Sequence, residues 1–208
     1  MPRRLRLARD CRGASAVEFA IVLPLLLILI FGVIDGGRFL WEVNRAEKAT
    51  QVGVRMAVVT NVLAPGLISE DYTVAGTGRP AVKAGELIPA SALGRLVCNS
   101  AGCACDPSSP PCPIPGTMNA YTFGLIVARM QAIDPRLTSA NVVVTYSGSG
   151  LGTAGDGGAT AMDISPLVTV SLRDLQFTAL TSLMLGTISM PSFSSTLTAE
   201  DASGNYSE

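Results

Sequence analysis

Sixteen consecutive residues, 19–34, read FAIVLPLLLILIFGVI and carry no charge. No other stretch restricts the fold as strongly, because a helix apolar on every face has no side to turn to water. Extending the run back to Ala14 gives 21 residues, interrupted by Ser15 and Glu18. As a helix that segment is roughly 31 Å long, about the thickness of a hydrocarbon core. Arg3, Arg4, Arg6, Arg9 and Arg12 precede it against one acid, Asp10. Basic flanks stay on the cytoplasmic side, so the predicted orientation is N-terminus in and C-terminus out. A cleavable secretory signal would have a shorter core and a small-x-small site after it. The run gives way instead to Asp35-Gly36-Gly37-Arg38, so a retained anchor is predicted over residues 14–37.

Glu18 needs its own explanation, because a carboxylate at a bilayer centre costs roughly 2.5–3.5 kcal/mol on the insertion scale. It either lies at the interface and snorkels or is kept for a partner such as an amino group. The string around it, Arg12-Gly13-Ala14-Ser15-Ala16-Val17-Glu18-Phe19, resembles the processing site of type IV pilin-like precursors. Together with Arg38-Phe39-Leu40-Trp41 after the span, it resembles the TadE-like family, minor pseudopilins of the tight adherence (Tad, or Flp) pilus system. The closing segment LVTVSLRDLQFTALTSLMLGTISMPSFSSTLTAED is similar to that family's last strands, while residues 64–140 match no family by eye.

The resemblance implies that a prepilin peptidase cuts between Gly13 and Ala14, removing residues 1–13 as a basic cytoplasmic leader. Glu18 then becomes the fifth residue of the mature chain and neutralises the N-terminal amine of a neighbouring subunit, with Phe19 beside it. Opposite charges in a low-dielectric setting are costly apart and much less so together. Asp35 fits loosely the acid that many TadE-like proteins carry near the end of the span.

Within the span, Pro24 removes one hydrogen bond and predicts a kink. Gly32 and Gly36 form a G-x-x-x-G pair, read either as a close helix-helix contact or as ordinary tolerance of Gly in membrane helices. Beyond Arg38 the helical pattern continues through Phe39, Val43, Ala46, Thr50, Gly53 and Ala57, widened by Val52, Met56 and Val59. Residues 38–63 are therefore predicted to extend the same helix to about Asn61, with Arg38-Glu42 as an i,i+4 pair.

Residues 64–208 are predicted to form the outer domain. The Gly/Pro/Ser-rich stretch 64–118 suggests short strands or turns near Tyr72–Val74 and a short helix near Ala90–Cys98. A second helix is predicted over residues 119–133, capped by Asn119 or Thr117 and closed before Pro135. Strands are predicted at 141–146, 167–172 and 194–199. The fold class is α+β: a long N-terminal transmembrane helix continuing into an outer domain with a second helix and an antiparallel sheet.

Four of the five cysteines, Cys98, Cys103, Cys105 and Cys112, cluster in this domain, and Cys11 lies in the leader. The spacing C-x4-C-x-C-x6-C lacks the paired knuckles of a zinc ribbon, so two disulfides are predicted in place of a metal. Cys103 and Cys105 are too close to pair with each other. Two pairings remain: Cys98–Cys105 with Cys103–Cys112, or Cys98–Cys103 with Cys105–Cys112.

The chain has no histidine, which excludes imidazole-based catalysis. Lys48 and Lys83 are its only lysines, and neither sits in a catalytic motif. Gly148-Ser149-Gly150-Leu151-Gly152, continuing to Gly158, lacks a phosphate-loop Lys and is read as a flexible hairpin loop. Asp156 and Asp163 lack the alternating acids of a calcium loop, and the sequon Asn205-Tyr206-Ser207 is given no role. Residues 60–208 hold 6 basic and 11 acidic residues, so no nucleic acid is expected as a partner.

The function this implies is not enzymatic and uses no cofactor. It is that of an anchored minor pseudopilin in Tad pilus assembly, at the inner membrane, single-pass, its outer domain periplasmic or extracellular. Its expected partners are pilin and other pseudopilin subunits, the prepilin peptidase, the inner-membrane assembly platform and lipid. The alternative is a single-span binding or sensor module unrelated to pili.

Overall fold

The computed structural model describes residues 14–76, 78–113, 115–155, 162–181 and 186–199. Among these residues the elements make an α+β fold with two α-helices, a five-stranded sheet and a two-stranded sheet. Helix α1 runs Ala14–Val59 without a break and includes Pro24. Contacts divide the chain into two compact units, residues 1–42 with 176–188 and residues 43–175 with 189–208.

In the larger unit, the part of α1 beyond Glu42 buries Ala46, Ala49, Thr50, Gly53, Val54 and Ala57. These are mostly small side chains at helical spacing, which lets the backbone come close to its neighbours. A Cβ on Gly53 would stand 2.6 Å from Met130 Sδ and 3.2 Å from Val170 Cγ1, so α1 lies against both the second helix and the sheet here. The second helix, α2, runs Ala120–Gln131. Asn119 is its N-cap and accepts a hydrogen bond from the Thr122 N–H at 3.1 Å. Arg45 closes the other end, donating from Nε and Nη2 to the Ile133 carbonyl at 3.1 and 2.9 Å.

The large sheet has the order β2-β1-β3-β4-β7 and is antiparallel throughout. Its strands are β1 (Leu96–Asn99), β2 (Gly102–Cys105), β3 (Val142–Ser147), β4 (Leu167–Leu172) and β7 (Phe193–Thr198). The two-residue period of β3 and β4 sets Val142, Val144 and Tyr146 opposite Leu172, Val170 and Val168, and all six are buried. The remaining strands, β5 (Gln176–Thr178) and β6 (Thr187–Ser189), form the two-stranded sheet.

One local expectation is corrected. The helix expected near Ala90–Cys98 is only a 3-10 turn at Ala90–Ala92, followed by strand β1. Pairing of Leu96, Val97 and Cys98 with β3 overrides the weak helical pattern. Of the strands or turns expected near Tyr72–Val74, a turn forms: Asp71 Oδ1 accepts from both the Thr73 N–H at 2.8 Å and its hydroxyl at 2.6 Å.

The glycine-rich segment follows β3 and leads to its antiparallel neighbour β4, as a hairpin connection does. A Cβ on Gly148 would collide with the Ala90 carbonyl oxygen, and one on Gly152 with that of Asp163. These glycines permit backbone-to-backbone contact, reinforced by bridges pairing Leu87 with Thr153 and Gly152 with Ile164. Asp163 is occupied as an acceptor, from the Gly155 N–H at 3.0 Å and the Tyr72 N–H at 3.4 Å. Asp156, Gly157, Gly158 and the sequon at Asn205 lie outside the described residues.

Candidate functional site

The smaller unit holds the apolar part of α1. From Val17 to Ile34 every large hydrophobic side chain but Leu23 is exposed, Phe19 at 63% and Val33 at 71%. Water would not tolerate so much apolar surface on all faces, and a bilayer requires it. The 18 residues from 17 to 34 rise roughly 27 Å, close to a hydrocarbon core of about 30 Å. Ala16–Val59 is the one helix among the described residues long and apolar enough to cross a membrane.

Glu18 and Phe19 are both exposed near the first turns of this helix. The helix is described from Ala14 onward, while Gly13, Cys11 and the rest of the leader lie outside the described residues. Pro24 stays inside a continuous helix. A Cβ added to Gly32 or Gly36 would meet nothing within 4 Å, so both positions are open on this chain.

At the far end of the apolar run, a carboxylate organises the turn after β5. Asp35 is 7% exposed. Its Oδ1 accepts from the Leu180 N–H at 2.7 Å and from Arg38 Nη1 at 3.3 Å. Its Oδ2 accepts from the Thr181 N–H at 3.0 Å and the Thr181 hydroxyl at 2.9 Å. Four donors on two oxygens replace the hydration this carboxylate would otherwise need. One turn on, Phe39 packs edge-on against Phe177 of β5, with ring centroids 5.4 Å apart and planes at 83°. The Arg38 guanidinium stands 5.6 Å from the centroid of the same Phe177 ring. Arg38 thus joins Asp35 on its N-terminal side. The sequence signal for this cluster is an acid directly after an apolar run, which demands donors; nothing in the sequence names Leu180 and Thr181 as their source.

Both disulfides form, in one of the two expected pairings: Cys98–Cys103 and Cys105–Cys112. Cys98 and Cys103 face each other directly across β1 and β2, their Cα atoms 4.0 Å apart. The loop carrying Cys112 folds back on β1's approach, where the Arg95 N–H donates to the Ser109 carbonyl at 2.9 Å. Gly94 has no Cβ because one would collide with that Ser109 oxygen. Among the described residues no group of three metal-ligating side chains assembles.

The family model described as TadE-like protein matches residues 13–55. No curated protein matches the chain, and no solved structure does. The N-terminal segment is therefore TadE-like, and with its exposed apolar helix it fits a Tad pilus-associated, single-pass membrane protein.

Proposed function

We propose that this chain is a minor pseudopilin acting in assembly of a Tad pilus, anchored in the inner membrane with its N-terminus cytoplasmic. The observation that carries this reading is the overlap of the TadE-like match, residues 13–55, with a helix whose large apolar side chains are exposed around the axis from Val17 to Ile34. A prepilin peptidase cuts the Gly13–Ala14 bond. The new amine belongs to a residue four positions before Glu18, so the Glu18 carboxylate of one subunit can meet the amine of the next inside a stack of helices. The exposed faces of the span are the surfaces that pack on pilin, on other pseudopilins and on the membrane assembly platform. The outer domain works by contact, without catalysis, cofactor or nucleic acid.

N-terminal sequencing of the protein from its native host tests the reading. The expected mature chain starts at Ala14, and Gly13→Val abolishes that cut. A native chain that still starts at Met1 beside an active prepilin peptidase would overturn the processing step. Glu18→Ala is expected to leave the disulfides and membrane integration intact while blocking pilus formation. Normal piliation in that variant would remove the role given to Glu18.

A further inference from the structure

We propose that Asp35 fastens the turn after β5 to the span at the lipid–water boundary, so that Leu180 is a second membrane contact of this chain. The proposal rests on the reading of residues 14–37 as a membrane span and goes beyond it, since it assigns a lipid-facing role to a residue about 145 positions away in sequence. Four observations carry it.

The first is position. Leu180 donates its N–H to Asp35 at 2.7 Å, so it stands at the depth of the residue that comes after Ile34. The span from 17 to 34 uses up roughly 27 Å of a core of about 30 Å, which leaves Asp35 at its edge.

The second is continuity of the apolar surface. Within two turns beyond Asp35, α1 keeps two large exposed apolar residues, Leu40 at 62% and Trp41 at 58%. Successive helical residues turn by about 100°, so both project away from the face of Asp35 that carries the turn. Trp41 lies roughly 9 Å further along the axis, where the headgroup layer favours an indole. The apolar belt therefore reaches past the level of Leu180 on the opposite face, and Leu180 supplies it on the near face.

The third is the exposure of Leu180 itself, at 57%, with Ile188 of β6 at 43%. Moving the surface of an exposed leucine held beside a membrane span from water into lipid is favourable. The fourth is how the polar groups are satisfied. The carboxylate, both backbone N–H groups and the Thr181 hydroxyl pair with one another, so the turn can approach the hydrocarbon without leaving these donors unpaired.

The experiment uses the full chain in vesicles of phosphatidylcholine and phosphatidylglycerol. Cys11 is replaced by Ser, and a single cysteine introduced as Leu180→Cys or Val33→Cys is labelled with an environment-sensitive dye. Nitroxide lipids labelled in the headgroup region or deep in the acyl chain report depth. At position 180 the expected result is blue-shifted emission quenched more by the shallow nitroxide than by the deep one. At position 33 quenching by acyl-chain nitroxides is expected. In Asp35→Ala the label at 180 is expected to lose its lipid quenching while that at 33 keeps it. A label at 180 with the emission of a dye in water overturns the proposal if position 33 is quenched; if position 33 is in water too, the membrane-span reading itself fails. Blue-shifted but unquenched emission at 180 reports a protein neighbour and also overturns it. Quenching at 180 that survives Asp35→Ala overturns the role of Asp35 as the fastener.

Discussion

Tyr72 and Tyr146 are both fully buried, and burial pushes each phenol up to about 12. They differ in what the hydroxyl does. Tyr146 Oη accepts the Leu63 N–H at 3.1 Å, closing the chain just after α1. Tyr72 Oη has no hydrogen-bond partner among the described residues, although the Arg79 guanidinium lies 4.2 Å from its ring centroid. Removing one partner of a buried bond leaves the other unsatisfied, which costs about 1–3 kcal/mol. Tyr146→Phe is therefore expected to destabilise by about that amount, whereas Tyr72→Phe is expected to be neutral or stabilising. Urea unfolding of both variants in detergent measures the two signs, and equal losses would contradict the assignment. Asp134 provides the pH-dependent counterpart. Burial acts to raise its carboxyl, but hydrogen bonds from the Arg136 side chain and backbone, with the charges of Arg136 and Arg45, outweigh it and hold the group below 3.8. Arg136 Nη2 is 2.8 Å away and Arg45 Nη2 3.6 Å. A folded-state pKa below the unfolded one gives stability present above about pH 4 and lost as pH falls through the folded value. Asp134→Asn should flatten that acid limb and lower stability at neutral pH, read from midpoints measured across pH 2–7.

At the scale of elements, the two disulfides close short loops, of sequence separation 5 and 7. Loops of this size restrict the unfolded chain by about 2 kcal/mol each. Cys98–Cys103 also joins strands already paired in register, whereas Cys105–Cys112 holds a loop outside the sheet. Replacing Cys105 and Cys112 together by Ser is thus expected to cost about 2 kcal/mol and to raise amide exchange at Arg95, whose partner Ser109 lies in that loop. Unchanged exchange there would show that the Pro-rich loop holds itself. The strands of the outer domain are legible in the sequence because each carries its own local pattern: β4 spans the predicted residues 167–172, and β3 and β7 shift by one residue. The Asn119 cap is legible for the same reason. Local pattern cannot give β1, whose short segment LVCN becomes a strand only by pairing with β3 on one side and β2 on the other. The choice between cysteine pairings is hidden likewise, because it depends on the register that sets Cys98 opposite Cys103. The Asp35 cluster shows the same limit: the acid is visible in sequence, but its donors lie about 145 residues away.

For the molecule as a whole, the net charge of −1 conceals two unlike regions. Without residues 1–13, which hold five Arg and one Asp, 10 basic and 15 acidic residues remain, a net −5. The charge balance thus depends on a basic stretch before the span, and the apolar balance depends on the span itself. The larger unit has its own buried sheet, its own helix pair and both disulfides. Membrane attachment and outer-domain folding are therefore expected to separate under mutation. Leu27→Arg with Ile30→Arg places two charges near the middle of the run, each costing about 2.5–3.5 kcal/mol on the insertion scale. That penalty is large enough to defeat integration of a single span. The doubly substituted chain should move from the membrane pellet to the supernatant on alkaline carbonate extraction. It should still show both disulfides in a non-reducing peptide map when refolded from that fraction under oxidising conditions. Retention in the pellet would mean that contacts other than the apolar run hold the protein to the membrane. Loss of the disulfide pattern on refolding would mean instead that the outer domain needs the span to fold.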